Sequence, residues 1–390
     1  MENNKKDMQK ILTEVQAEAK AGESYVSPMR SVIAENDRIF NNECWYGLPV
    51  TNKAEKPSIP IVGRIEKFKI ASVMVEILTA TFKVKGVKSD SEKKDFYIKG
   101  ADLYTKLAKE TDERLDVVVT DEKLLQRSNV AGKGLSHFRW DETIKAGNDV
   151  LSKGDFIEEK IHSLNWHPSD ITDPEIQTQE YHLLDVENSL KWWKDLAKKS
   201  GRTDEEIKLL QPSKDDTKNT FGDGKELDGS ERVWGSIKYW KEEGKVWCVI
   251  VAPGLVVKEP WDTDLTIYPL VHMDWEEKEE SAYGLSEITS MKYNQFAINK
   301  MLYNALKSIT KGAHPIMIYN KDLMGKPSGS PGAAFGVSGS VHDAFKFEAP
   351  SQLSYDIWRM LESLITWTKD MAGATETALG EAKPDNTSAL

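Results

Sequence analysis

The stretch Leu285-Ser-Glu-Ile-Thr-Ser-Met-Lys-Tyr-Asn-Gln-Phe-Ala-Ile-Asn-Lys-Met-Leu-Tyr-Asn-Ala-Leu-Lys-Ser-Ile-Thr-Lys311 decides how the chain is read. Ile288, Met291, Ile298, Leu302, Ala305 and Ile309 recur at alternating spacings of three and four, with polar Gln295 on the same stripe. That period predicts one long helix with a single buried seam. Pro315 then opens a β-like run, Ile316 to Tyr319, followed by a Gly/Ser/Pro loop from Gly325 to Gly339 and a short strand near Ala344 to Phe347. Pro350 ends this module. Ser351 to Ala372 is a second helix, in which Leu353, Ile357, Met360, Leu361, Leu364, Ile365 and Met371 make one apolar face. A loop from Gly373 to Ser388, without apolar period, follows it.

Upstream, the pattern changes twice. Residues 1–42 carry sparse one-sided stripes (Ile11, Val15, Ala19, then Val32, Ile33, Ile39, Phe40) and predict a helical arm. After a proline-rich loop from Gly47 to Pro60, the apolar run of Ile65 to Val84 predicts a helix. Ala101 to Leu151 is expected to be mostly helical, with Trp140 and Ile144 following a break at Gly132-Lys-Gly134. From Gly154 the period becomes two, so the sheet is expected to start there. A short helix around Leu190 to Ala197 and a hydrophilic loop interrupt it. Arg232 to Trp240 and Lys245 to Val251 flank Lys241-Glu-Glu-Gly244 as a hairpin, and a further strand covers Ile267 to Met273.

Length and charge bound the function. At roughly 150 residues per domain, 390 residues suggest two or three domains. The longest apolar stretch, Val246 to Val257, is broken by Pro253-Gly254 and falls short of the roughly 18 residues of a membrane span, so it reads as paired strands. Met1-Glu-Asn-Asn-Lys-Lys-Asp lacks a signal-peptide pattern, which points to a cytoplasmic origin. Cys44 and Cys248 follow no zinc or redox spacing and read as ordinary buried or half-buried thiols. A net charge of -11 argues against tight binding of nucleic acid, which calls for a basic face.

The common catalytic signatures are missing: no P-loop, no His-Glu-x-x-His, no Gly-x-Ser-x-Gly. His162 and His167 bracket a turn and suit surface positions better than a metal site. Asp262-Thr-Asp264 has the composition of a cation site, but also that of a turn, which we favour. The acidic run from Asp274 to Glu280 reads as a solvated prelude to the Leu285 helix. The tryptophans, including Trp192-Trp193, Trp234, Trp240, Trp247, Trp261, Trp275, Trp358 and Trp367, belong to an acidic chain and are read as suited to cores and subunit interfaces rather than base stacking. Trp358 and Trp367, nine positions apart, fall on different sides of their helix.

An ordered series of segments resembles the portal proteins of tailed bacteriophages. Arg139-Trp-Asp-Glu-Thr-Ile-Lys-Ala-Gly147 with Ser152-Lys-Gly-Asp155 is similar to the entry of the portal wing, and Asn165-Trp-His-Pro168 leading to Ile176-Gln-Thr-Gln179 to its next strand and turn. Ala282-Tyr-Gly-Leu-Ser-Glu-Ile288, with Gln295 and Asn299 beyond, resembles the entry into a first stem helix. Gly380-Glu-Ala-Lys-Pro-Asp-Asn-Thr-Ser-Ala-Leu390 resembles the tunnel loop running into a long helix. The family continues past that loop into the helix and a crown, so a chain stopping at Leu390 is expected to be cut short.

The resemblance implies an α+β portal fold with a helical/β wing, a two-helix stem and a small β clip. Residues 1–42 would be an arm, Glu43 to Met273 the wing, Asp274 to Lys311 and Ser351 to Ala372 the stem, Gly312 to Pro350 the clip, and Gly373 to Ser388 the tunnel loop. It implies a homo-oligomeric ring, usually a dodecamer, assembled in the host cytoplasm and set at the portal vertex of the virion. Double-stranded DNA would pass through it. The large terminase, head-completion or adaptor proteins, and the major capsid or scaffold protein would be its partners. No cofactor, metal, membrane or catalytic residue is implied, since ATP hydrolysis resides in the terminase.

By the same resemblance Gly373, Thr375, Glu376, Gly380, Glu381, Lys383 and Asn386 would line the tunnel loop. Lys300, Lys307, Lys311 and Lys369 would face the stem channel, and Lys321, Asp322, Lys326 and Ser330 would serve terminase docking. An acidic tunnel loop would repel phosphates and keep friction low. Lys292, Lys300, Lys307 and Lys311 make the first stem helix basic, for weak contacts to DNA or, as we favour, for pairing with Asp356, Glu362 and Asp370 across subunits. Two other classes stay open: a metal-dependent nuclease or phosphodiesterase using Asp262, Asp264 and His167, and another virion connector or baseplate protein.

Overall fold

A computed structural model describes residues 2–45, 56–75, 79–85, 94–145, 153–212, 231–312, 316–326, 336–348 and 355–374. They divide into two compact units: residues 1–41 with 66–290, and residues 42–65 with 291–390. Both mix helix and strand, so the α+β class holds. No helix among the described residues is long and apolar enough to cross a membrane.

The chain opens with α1 (Glu2–Phe40), which keeps Pro28 within its length, and α2 (Ile61–Val73). Next come α3 (Lys94–Leu115), α4 (Val117–Ala131), β1 (Lys133–Lys145) and β2 (Lys153–His162). Then follow β3 (Trp166–Pro168), β4 (Tyr181–Ser189), α5 (Leu190–Lys199) and α6 (Asp204–Ile207). The Ser189 hydroxyl caps α5 by accepting from Trp192 N, and Thr203 with Glu206 forms a reciprocal capping box on α6. β5 (Arg232–Glu242), β6 (Lys245–Ala252), β7 (Leu255–Asp262) and β8 (Leu270–Asp274) complete the first unit.

Its main sheet is an antiparallel meander in the order β3-β4-β5-β6-β7. Both faces are covered. Leu183, Val249, Val251 and Val256 pack on Leu12 and Val15 of α1, while Val233, Ala252, Leu255 and Val257 pack on Trp193, Ala197 and Ile207 of α5 and α6. Successive residues of a strand point to opposite faces, so Leu255 and Val257 serve one cluster and Val256 the other. A sheet buried twice has no polar side to alternate with. This is why Val246 to Val257 reads as one apolar run, and Pro253-Gly254 is the turn between β6 and β7. The β5–β6 hairpin turns at Glu243 and Gly244, with φ of 52° and 78°. Two consecutive left-handed residues suit the twist of a two-residue hairpin, and glycine takes the second without cost.

Two expected helices are not as the sequence suggests. Lys133 to Lys145 is a strand, the centre of a three-stranded sheet β2-β1-β8, so the sheet begins there and not at Gly154. Residues 132–137 are all buried, which removes the alternation that betrays a strand. The helix expected over Ile65 to Val84 spans only Ile61–Val73, and residues 79–85 are neither helix nor strand. Its apparent stripe ran on through Val73 and Val75, which are exposed, in a stretch rich in β-branched residues that favour helix poorly.

The second unit holds most of α7 (Glu287–Gly312), then β9 (Ile316–Tyr319), α8 (Val341–Ala344), β10 (Phe345–Glu348) and α9 (Tyr355–Met371). β9 and β10 pair antiparallel, Phe345 opposite Tyr319 and Glu348 opposite Ile316. The helix, strand pair, helix order read from the sequence is present. The polar residue on the seam of α7 has a reason. Gln295, fully buried, accepts from Ile61 N at 2.9 Å and Val62 N at 3.2 Å, and donates to Ile59 O at 2.7 Å. Asn299, one turn on, accepts from Ile59 N at 3.4 Å and donates to Cys44 O at 3.2 Å. Helix starts leave their first amides without intrahelical partners, and Gln295 answers Val62 N at the start of α2 and shares Ile61 N with Ile59 O. Gln295→Leu is expected to destabilise the protein by about 1–3 kcal/mol, because it strands the buried Val62 amide rather than merely losing a bond. A fall in the urea midpoint at unchanged slope is the check.

Candidate functional site

Two groups of side chains are candidates, one in each unit. In the second, Lys300, Lys307 and Lys311 stand at i, i+7 and i+11 along α7, which places them on one face of a helix. Lys300 and Lys307 are exposed, and the Lys307 ammonium lies 5.7 Å from the Tyr303 ring centroid. After Glu287, α7 contains no carboxylate, so this face is a basic stripe. Lys292 does not belong to it. It is 3% exposed and lies 5.5 Å from the Tyr293 ring, eight residues and hence roughly 80° out of phase with Lys300. Glu287 is bound by Lys69. Among the described residues, neither Lys300 nor Lys307 pairs with Asp356, Glu362 or Asp370. Lys369, on α9, is half-buried.

α9 has more apolar surface than the described residues of the chain cover. Leu361 and Thr368 are buried, but Met360, Trp367 and Met371 are 54%, 56% and 61% exposed and again follow i, i+7, i+11. The continuous apolar face expected of this helix is, among its described residues, split between core and surface, and Leu353 lies outside them. Trp358, opposite Trp367 on the helix, is 37% exposed. Beyond β9, an Asx-type turn in which Asn320 Oδ1 accepts from Asp322 N displays Lys321, Asp322 and Lys326 to solvent. Gly373, in the left-handed conformation, ends α9. Ser330, Thr375, Glu376, Gly380, Glu381, Lys383 and Asn386, and the side chain of Lys311, lie outside the described residues.

In the first unit Glu23, His167 and Asp185 bring potential ligand atoms within 4.8 Å of one another. His167, expected at the surface, is 2% exposed. Its Nε2–H donates to Asp185 Oδ2 at 3.2 Å, and Ser236 Oγ donates to Asp185 Oδ1 at 2.7 Å. Both donors end on the carboxylate, so the imidazole does not face the Ser236 hydroxyl and a hydrolytic triad is not formed by these residues. Glu23 is held by Arg30, Nε at 3.0 Å and Nη2 at 2.7 Å. Each of the four carboxylate oxygens thus already accepts from a protein donor, so a cation would have to share them with Arg30, His167 and Ser236, while His167 Nδ1 has no hydrogen-bond partner.

Neighbouring groups follow the same rule. The Trp166 indole donates to His182 Nδ1 at 3.0 Å, which fixes the proton on Nε2, and that donates to Ile176 O at 2.8 Å. Burial pushes His182 down to about 4 and keeps it neutral. Asp262 and Asp264 do not join His167. Asp262 pairs with Lys245 and accepts from Asp264 N at 2.8 Å, and Asp264 has φ 59°, as in a turn. Cys44 and Cys248 are free and buried.

The first cluster fixes α1 on the sheet. A Cβ at Gly22 would lie 2.4 Å from His167 Cγ, so only glycine allows the approach. Gly22→Ala is expected to cost about 1–3 kcal/mol in chemical denaturation. Magnesium or manganese should leave the thermal midpoint unchanged, whereas a bound cation would raise it. Compared with known proteins, the chain matches no family model and no curated sequence.

Proposed function

We propose that the protein is a portal subunit: one copy of a ring at a capsid vertex, a conduit for double-stranded DNA during packaging and ejection, and a docking platform for terminase and head-completion proteins. The observation that carries this reading is the uncovered stripe Met360, Trp367, Met371 on α9. Contiguous exposed apolar surface of this kind marks an interface, and in a ring of identical copies the neighbour supplies the cover. The helix, strand pair, helix order of the second unit supports it, as a stem pair bearing a clip would have that order.

The basic stripe fits the same reading. Lys300, Lys307 and Lys311, repeated around a ring, would pair with Asp356, Glu362 and Asp370 of a neighbouring copy, and what charge that pairing left over would make a diffuse positive lining that holds a polyanion without gripping any one phosphate. Surrounding acidity keeps the net attraction weak, as a sliding contact requires. The nuclease reading loses support, because Asp262, Asp264 and His167 are separately engaged in turn and core bonds. Terminase, capsid and adaptor contacts would fall on exposed surface, with Lys321, Asp322 and Lys326 beside the strand pair as the proposed docking residues.

Negative-stain images of the purified protein should contain closed rings with a hole wide enough for duplex DNA, and Trp367→Lys should convert them to monomers. Monomers or open filaments from the unsubstituted chain would remove the portal reading. Deleting residues 325–339 should leave rings intact and abolish stimulation of the terminase ATPase. Rings that still stimulate it would place docking elsewhere.

A further inference from the structure

Glu66 is a carboxylic acid at a core position. It stands on α2 four residues from Val62 and four from Ile70, and all three are buried, Glu66 completely. Asn129 of α4, also completely buried, donates from Nδ2 to Glu66 Oε2 at 2.5 Å. Two acceptors of this bonded pair remain: Glu66 Oε1 and Asn129 Oδ1 have no hydrogen-bond partner. A carboxylate oxygen and an amide oxygen only accept, so the ionised pair has no way to satisfy either. A single proton satisfies both. Placed on Glu66 Oε1, it makes a hydroxyl donor for Asn129 Oδ1, and acid and amide then present complementary edges. We propose that Glu66 is held as the neutral acid in a doubly hydrogen-bonded pair with Asn129, and that the pair is a proton-operated latch between α2 and α4.

The charged groups around Glu66 favour the proton. On α2 itself the facing cation is Lys69, which is committed to Glu287 of α7, reaching both oxygens at 2.6 Å. Glu287 also accepts from Trp275 Nε1 at 3.1 Å. From the stretch after β8, Glu276 adds another carboxylate, and α4 contributes Asn129. An ionised Glu66 would therefore be a buried anion beside Glu287 and Glu276, with its nearest lysine already neutralised. Burial first, and then Glu287, raise the Glu66 carboxyl from its ordinary 4.5 to about 7, against the opposing pull of Asn129 and Lys69.

The direction of the pH effect follows. The folded chain keeps a proton that the unfolded chain has already lost, so the latch contributes fully below pH 4.5 and its contribution fades as pH rises through about 7. Opening would loosen α4 from α2 without breaking any backbone bond.

Glu66→Gln tests this, because the carbamoyl group reproduces the donor and acceptor edges of the neutral acid and cannot ionise. Between about pH 5 and about pH 7 the unfolding constant of the unsubstituted protein should rise by up to roughly tenfold per pH unit relative to E66Q, and the two should coincide near about pH 5. Parallel pH curves, or an E66Q protein much less stable already near about pH 5, would overturn the latch. A second readout does not depend on any variant's folding: infrared spectra of the unsubstituted protein at about pH 6 should contain the carbonyl stretch of a buried protonated carboxylic acid, fading as the pH is raised through the shifted range. Absence of that band also overturns it.

Discussion

Taking a polar group away from water is costly unless another part of the chain answers it, and at three places in this chain the answer comes from a distant side chain. That constraint organises both units. Gln295 answers backbone amides of α2, Asp185 answers His167 and Ser236, and Glu66 answers Asn129. Each tie joins stretches far apart in sequence: 234 residues for Gln295 and Ile61, 63 for Glu66 and Asn129. Burying apolar surface would bring these elements together in many registers of similar energy, since contact between hydrocarbon faces is nearly indifferent to small slides. A buried hydrogen bond is not, because a slip of one residue leaves donor and acceptor stranded.

The same constraint explains which parts of the fold are legible in the sequence. Where an element shows one face to water, its period is written in its residues. α7 and α9 are read within a few residues of their ends, and the β5–β6 hairpin is betrayed by Gly244. Where an element is covered on every side, the period vanishes. β1 is the instance: Leu135, Ser136 and His137 are all buried, two of them polar, and neither alternation nor a helical stripe survives. Trp140 and Ile144, four apart, then imitate a helix. The false extension of α2 has the opposite origin, because Val73 and Val75 are apolar but exposed and prolong a stripe that packs on nothing.

The candidate sites divide in the same way. The lysine stripe is legible because exposure and helical phase suffice to define it, and phase alone separates Lys292 from the other three. His167 is not. Nothing near it in sequence announces that Asp185 lies on the next strand and that Gly22 opens a place for its ring. Glu66 left one trace, a carboxylate four residues from Val62 and four from Ile70 on an otherwise apolar face. A charged residue at a core phase is a signal in itself, although its partner on α4 has no pattern of its own.

The two faces of α7 are linked by this bonding. Lys300, Lys307 and Lys311 share a phase because a helix turns roughly 100° per residue, but that arithmetic fixes only their relation to one another. What fixes the direction in which they project from the second unit is the rotation of α7 about its axis. An apolar seam of Met291, Ile298 and Ala305 would tolerate some rotation, because side chains of similar bulk replace one another at little cost. Gln295 and Asn299 do not tolerate it. Their amides meet the backbone of residues 44, 59, 61 and 62 at 2.7 to 3.4 Å, and turning α7 would break several of these bonds together. Lys300 follows Asn299 directly, so the residue that anchors the helix on its buried side sets where the basic stripe begins on the other. A polar pair inside the seam thus does what a wholly apolar seam does not, and orients the charge on which the proposed conduit depends.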